Sequence, residues 1–282
     1  MASPIQPLHH KAYPAIDPSL PALSTKGKSV VITGAGSGIG AETALAFAKS
    51  GASHLGLVGR RAAALESTKA TIAASYPSTT VHILPADMTG LPAITAALQT
   101  FSDTINQKID ILVANAGWVN PITSLAETDP TLFWRVFEIN ILGNYNLLRA
   151  FAPVSGEDAV VLDVSTAMAV APYLPGYAAY QASKVAAYRV FQHFGNENAN
   201  VRVMHFHPGL YRTEIGSTVE DAGFGLQFDE SEFLLLLLSF PLPFLSTFSL
   251  LLLLLLLLLP SCPFSGISYE NSLSLSLSSS PE

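Results

Sequence analysis

The chain has 282 residues and a formal net charge of −7, with no basic block and no stripe of aromatic and basic side chains, so a nucleic-acid surface is not expected. Its single cysteine, Cys262, excludes an intramolecular disulfide and gives no sign of an oxidising compartment. The first 28 residues carry Pro4, Pro7, Pro14, Pro18 and Pro21 and no apolar signal core, so residues 1–28 read as an extended arm and the protein as cytoplasmic.

From residue 29 short β-branched runs alternate with Ala-rich helical stretches. Ser29-Val-Val-Ile-Thr33 is a buried-strand signal ending at a glycine. A helix beginning near Gly38 follows, with Ile39, Thr43, Ala44, Phe47 and Ala48 on one side, and Gly51 closes it. His54–Val58 reads as the second strand, Arg61–Ser75 as a helix, and Thr80–Leu84 as the third strand. Pro92 stands at a permitted first-turn position of the next helix. Ile109–Val113 is the fourth strand, Thr131–Phe151 one long helix, and Ala159–Val164 the fifth strand. The helix with Tyr180 and Lys184 comes next, then Val201–Phe206 as a sixth strand. Continuous apolar strands in strict β-then-α order predict a doubly wound parallel sheet, an α/β architecture of Rossmann type. Ligands in such sheets bind beyond the carboxyl ends of the strands, so the residues just after each strand carry the functional question.

After the first strand comes Thr33-Gly-Ala-Gly-Ser-Gly-Ile-Gly40. Gly34, Ser37, Gly38, Ile39 and Gly40 lie where a backbone can close on a pyrophosphate at a helix N-terminus. After the second strand come Arg60 and Arg61, with no acidic residue between Ser53 and Ala64. An acidic residue here would suit a ribose 2′-hydroxyl, an arginine a 2′-phosphate, so NADP(H) is favoured over NAD(H). The bland alternative is a pair of solvated helix-start residues. Asp87, after the third strand, either accepts from an adenine amino group or caps a turn. Asn115-Ala116-Gly117 follows the fourth strand; Asn115 is placed to tie neighbouring strands, and Gly117 leaves room for a cofactor. Ser165 and Thr166 follow the fifth strand and could bond a substrate oxygen. His207-Pro208-Gly209 breaks the sixth, and Thr213 could reach a carboxamide or a phosphate. His205 and His207 would share one face of a strand, but the other ligands of a metal centre are missing from the pattern, so no metal is expected.

Tyr180-Gln-Ala-Ser-Lys184 sets a phenol and an ammonium one helical turn apart on one face. A fixed cation there favours the phenolate. A tyrosine so placed can give a proton to a carbonyl oxygen or take one from an alcohol.

Thr33–Gly40, Asp87, Asn115–Gly117, Asn140, the Ser165 region, Tyr180/Lys184 and Pro208-Gly209 occur in the order of the short-chain dehydrogenase/reductases. Over about residues 29–213 the chain resembles that family, and Pro14–Pro18 resembles its fungal members. The resemblance implies Tyr180 as acid/base, with Lys184 tuning it and touching the nicotinamide ribose. It also implies that Asn140 holds a relay water and that a hydroxyl after the fifth strand binds the reacting carbonyl. The family's serine often lies thirteen residues before the tyrosine; that position here is Ala167, and Ser165 and Thr166 both stay open for the role. The implied activity is hydride transfer between a nicotinamide and a small-molecule carbonyl or secondary alcohol, in a chain that forms homo-oligomers in many relatives. The alternative is a truncated, non-catalytic nucleotide-binding remnant.

The domain is expected to span 29–230 and to lack its last strand, because residues 231–282 are Leu/Ser low complexity with leucine runs at 234–238 and 250–259. This tail reads first as sequence foreign to the domain, such as translated intron. A membrane anchor through 233–259 is disfavoured by Pro241 and Pro243, which leave only a short apolar run, and by the lack of any Lys or Arg after Arg212. A disordered tail is the third reading.

Overall fold

The structure is a computed structural model and describes residues 14–166, 169, 174–209, 211 and 213. The expectations for the first thirteen residues, Ala167, the missing last strand and the Leu-rich tail fall outside these residues.

Six strands make one wholly parallel sheet: β1 (Ser29–Thr33), β2 (His54–Gly59), β3 (Thr80–Pro85), β4 (Ile109–Ala114), β5 (Ser155–Val164) and β6 (Val201–Phe206). Their order across the sheet is β3-β2-β1-β4-β5-β6, with every neighbouring pair parallel. The helices are α1 (Gly38–Lys49), α2 (Ala62–Ser75), α3 (Leu91–Ile105), α4 (Pro130–Phe137), α5 (Gly143–Phe151) and α6 (Ala178–Glu197).

Alternation along each strand divides the core in two. Val30 and Ile32 of β1 face one cluster with Ala44 and Phe47 of α1 and Leu65 and Ile72 of α2. Val31 faces the other, with Ile94, Leu98 and Phe101 of α3, Leu147 and Phe151 of α5, and Phe191 of α6. All five residues of β1 are buried, which is why Val30, Val31 and Ile32 follow one another as an apolar run between Ser29 and Thr33. The chain order reverses direction between β1 and β4. Beyond their carboxyl ends the flanking loops part and leave a crevice.

Three local features differ from the sequence expectation. Residues 14–28 do not run as an extended arm: Pro14–Ile16 and Pro21–Leu23 are 3-10 turns that bury Ile16 and Leu23. Asp17 pairs with Lys49 at 3.0 Å, and Lys26 bridges Ala52, so this segment pins the end of α1. The long helix is interrupted by a π turn at Glu138–Leu142 between α4 and α5. β5 starts at Ser155, four residues early, because Glu157 and Asp158 are exposed where the pairing with β4 shifts register.

Candidate active site

Each crevice residue is placed by a strand end. Thr33 ends β1 and accepts from two amides of the loop after β4: its Oγ1 takes Asn115 N and Ala116 N, both at 3.0 Å. The Asn115 side chain returns the tie, donating from Nδ2 to Thr33 O at 2.8 Å. These bonds close the floor of the crevice between β1 and β4 and match the linking role expected of Asn115.

The glycine loop above this floor has little room for side chains. Gly34 has φ +68, a conformation that favours glycine. A Cβ on Gly40 would stand 2.3 Å from Gly34 O and 2.6 Å from Asn115 Nδ2, so Gly40 lets α1 approach β1 and lies beneath the cleft. Ser37 is the N-cap of α1, and its side chain makes no capping bond. The first-turn amides of α1 thus face the cleft with no acceptor inside the helix. Thr213 lies over Gly38, its Cγ2 3.1 Å from where a Cβ would be.

One cleft of about 650 Å³ runs from this loop to Tyr180. Its wall holds Gly34, Ser37, Gly38, Ile39, Arg60, Asp87, Asn115, Ala116, Gly117, Ser165, Thr166, Tyr180, Lys184, Pro208, Gly209 and Thr213, which is every candidate residue except Gly40 and Asn140. Arg60 is exposed and makes no hydrogen bond or ion pair among the described residues, while its charge acts on Asp87. Burial pushes the Asp87 carboxyl up, but hydrogen bonds from the Thr89 amide and hydroxyl, with the charges of Arg60 and Arg135, outweigh it and hold the group below its ordinary value. Those bonds, 2.9 and 2.8 Å to Oδ1, also make Asp87 the cap of its turn.

Tyr180 and Lys184 lie on α6 at the far end. Lys184 is only 6 % exposed, and its Nζ donates to Val164 O at 3.0 Å while standing 5.7 Å from the centre of the Tyr180 ring. A buried ammonium needs such a fixed acceptor, and the strand end supplies it. Ser165 and Thr166 leave β5 directly after Val164. A Cβ on Gly117 would lie 3.8 Å from Lys184 Nζ, so a longer side chain there would run into the ammonium.

Asn140 sits behind the wall, 1 % exposed, in the π turn. Its Oδ1 accepts from Trp118 N at 2.8 Å, and its Nδ2 donates to Trp118 O at 2.9 Å and to Ser183 Oγ at 3.0 Å. Its backbone oxygen accepts from Asn144 Nδ2 at 2.8 Å. The side chain therefore locks the loop after β4 onto α6. Ser183 in turn donates to Tyr180 O at 2.8 Å. Ser183 carries no motif signal of its own. Neither do the lining residues Trp118, Val119, Tyr177 and Tyr211. Position alone could have pointed to them: Trp118 and Val119 continue a strand-end loop, and Tyr177 precedes Tyr180 by nearly one turn. Among the described residues no cluster of His, Cys, Asp or Glu could hold a metal ion, and no helix is long and apolar enough to cross a membrane.

Comparison with known proteins gives the same picture. The short chain dehydrogenase family model matches residues 28–222. A short chain dehydrogenase/reductase of Claviceps purpurea is 33% identical over 210 residues, covering 73% of this chain and 70% of that protein. The alcohol dehydrogenase of the archaeon Thermococcus sibiricus, complexed with 5-hydroxy-NADP, superposes with a TM-score of 0.62 at 27% identity, covering 68% of this chain and 80% of that one. A 7α-hydroxysteroid dehydrogenase complexed with NADH and 7-oxo glycochenodeoxycholic acid gives 0.63 at 25% identity, covering 74% and 78%. With the family model covering most of the sequence and the strand order of a dinucleotide fold beneath it, this chain belongs to the short-chain dehydrogenase/reductases and is an oxidoreductase.

Proposed function

We propose that the protein is an NADP(H)-dependent oxidoreductase that interconverts a carbonyl compound and the corresponding secondary alcohol, with Tyr180 as the acid/base. The observation that carries this reading is one continuous cleft, with a glycine cradle at one end and Tyr180 beside a fixed Lys184 at the other.

The cradle fits a dinucleotide pyrophosphate. Side chains are excluded at Gly34 and Gly40, so backbone amides line the approach, and the positive end of α1 faces an anion there. The bound nicotinamide would supply or accept the hydride at the substrate carbon. Everything else falls to the chain's own groups. In the reductive direction the Tyr180 hydroxyl gives its proton to the carbonyl oxygen, so the carbon gains a hydride and the oxygen a proton. Ser165 or Thr166 donates a hydrogen bond to that same oxygen and fixes its place. Lys184, held by Val164 O, keeps a positive charge beside the phenol as it loses its proton.

The relatives do not decide the cofactor, since one is complexed with an NADP derivative and another with NADH. The preference for NADP(H) rests on Arg60, an exposed cation in the cleft just past β2, with no acidic residue in the chain between Ser53 and Glu66 where one would suit a ribose 2′-hydroxyl. The test is a fluorescence titration of NADPH and NADH into the full chain, its Arg60→Ala variant and its Tyr180→Phe variant, followed by turnover on a panel of ketones. NADPH is expected to bind the wild type at least about tenfold tighter than NADH, and Arg60→Ala to erase most of that gap. Tyr180→Phe should keep NADPH affinity while losing roughly 10²- to 10⁴-fold in turnover. Equal affinities for the two cofactors would remove the NADP(H) assignment; undiminished turnover in Tyr180→Phe would remove the acid/base assignment.

A further inference from the structure

Asp163, buried, and His205, half-buried, form a couple that the proposed reaction does not use. Asp163 lies on β5 at 3 % exposure, and His205 is its direct neighbour across the strand pair, on β6. Asp163 Oδ2 and His205 Nδ1 are 2.9 Å apart. A carboxylate this deep is costly without a donor. The imidazole N–H supplies one, and the bond fixes the plane of the ring.

Along β5, Asp163 follows the parity of Ala159 and Val161, which face the core cluster containing Phe191 of α6. The couple therefore lies under α6. There the Tyr188 ring centre is 4.3 Å from that of His205, and Phe191 meets the imidazole edge-on at 6.2 Å. Tyr188 is steadied by Gln192, whose Nε2 donates to its phenol oxygen at 2.9 Å. Tyr180, Lys184 and Tyr188 recur every fourth residue and so share one face of α6. Lys184 bonds the carbonyl of Val164, the residue after Asp163. The helix is thus pinned to two consecutive residues of β5, at Val164 through Lys184 and at Asp163 through His205 and Tyr188.

We propose that the Asp163–His205 couple is a positioning element for Tyr180 and Lys184. It sets the register of α6 over β5, and through it the place of the ammonium and the phenol relative to the cleft. It touches neither substrate nor cofactor. Its leverage is geometric, because a displacement of ~1 Å at reacting groups can cost ~100-fold in rate.

The proposal rests on the oxidoreductase reading above, and the experiment separates the two. Full-length wild type, Tyr180→Phe, His205→Phe and His205→Asn are assayed with NADPH and diacetyl as a neutral probe ketone. His205→Phe keeps a ring against Tyr188 but has no donor for Asp163; His205→Asn restores a donor. The expected result is a kcat about tenfold or more below wild type in His205→Phe, with KM and NADPH affinity within about threefold, and most of kcat recovered in His205→Asn. A kcat in His205→Phe within about twofold of wild type overturns the proposal. So does an equal loss in both variants. Should His205→Phe not fold, Tyr188→Leu, which removes the ring linking the couple to α6, is read by the same criterion. If the wild type turns over nothing, or Tyr180→Phe matches it, the reaction assignment falls alone, and amide exchange along α6 decides the positioning. Faster exchange at Lys184 in His205→Phe than in His205→Asn supports it, and equal exchange overturns it.

Discussion

Ser183 shows how a residue without chemistry of its own can hold a site together. It is fully buried, accepts from Asn140 Nδ2 and donates to Tyr180 O, so it joins the loop after β4 to the helix carrying the tyrosine. Replacement by alanine removes both bonds, although Asn140 Nδ2 keeps Trp118 O. Ser183→Ala is expected to lower unfolding free energy by about 1 kcal/mol, read as a lower urea midpoint at unchanged slope, and to reduce turnover more than NADPH affinity. An unchanged midpoint would mean that the lock is not made in solution. The contrast with Tyr180 and Lys184 explains what the sequence discloses at this scale. Tyr180, Lys184, Arg60 and the glycines stand at strand ends or helical spacings where residue type and position together carry meaning. A serine inside a helix reads as filler until Asn140, 43 residues earlier in the chain, is folded against it. Asn140 is legible only through the family resemblance, because Glu138, Asn144 and Asn146 give its stretch other polar residues beside it. Its partner Trp118 is not, because the bonds run to backbone atoms that every residue has.

At the scale of elements, the seat of α1 on β1 is the contact most exposed to a single methyl group. A Cβ at position 40 would meet Gly34 O at 2.3 Å, and that oxygen belongs to backbone fixed by the loop. Gly40→Ala therefore has to push the helix away from the strand. The expected cost is about 1–3 kcal/mol, with a parallel loss of NADPH affinity because the first-turn amides of α1 move with the helix. Gly156→Ala, in β5, is the control. Its Cβ would find its nearest atom, Ile109 O, at 3.6 Å, an ordinary contact, so a change within about 0.5 kcal/mol is expected. Equal destabilisation in both would show that loss of glycine, rather than close approach, sets the cost. The strands were the most readable elements because their buried centres are continuous apolar runs, as at Val30–Ile32 of β1 and Leu55–Val58 of β2. The early start of β5 was hidden, since Glu157 and Asp158 are exposed residues in a strand whose pairing is made by backbone. The π turn at Glu138–Leu142 was hidden for a related reason. One extra residue in a turn changes where Asn140 points without interrupting the helical run of the sequence.

Across the whole molecule, the edge at β2–β3 carries a titration that the active site does not share. His54 and His82 project from adjacent strands, ring centres 6.0 Å apart, and His82 stacks edge-on against Phe101 of α3 at 5.4 Å. His54 Nδ1 and His82 Nε2 are buried without hydrogen-bond partners among the described residues. Burial, then the neighbouring His54, then the charge of Lys69 on α2 push the His82 pKa below its ordinary 6.5. A histidine with a depressed folded pKa binds fewer protons folded than unfolded. Stability is then complete above the ordinary imidazole range and is lost as the pH falls through 6.5 toward the folded value. Asp17 acts in a separate window. The Ser19 amide and hydroxyl and Lys49 hold it at about 2, against an ordinary 3.8, so its contribution is lost only in stronger acid. Urea unfolding between about pH 8 and pH 5 therefore stays clear of Asp17, and comparison with a His82 variant separates the histidine from Glu42, whose carboxyl burial pushes up. The wild type should lose stability across that range, and His82→Leu, which cannot take up the proton and leaves no orphaned nitrogen at position 82, should lose measurably less. If both chains fall in parallel, the acid sensitivity lies elsewhere in the molecule, and the pairing of His54 with His82 is only a packing arrangement.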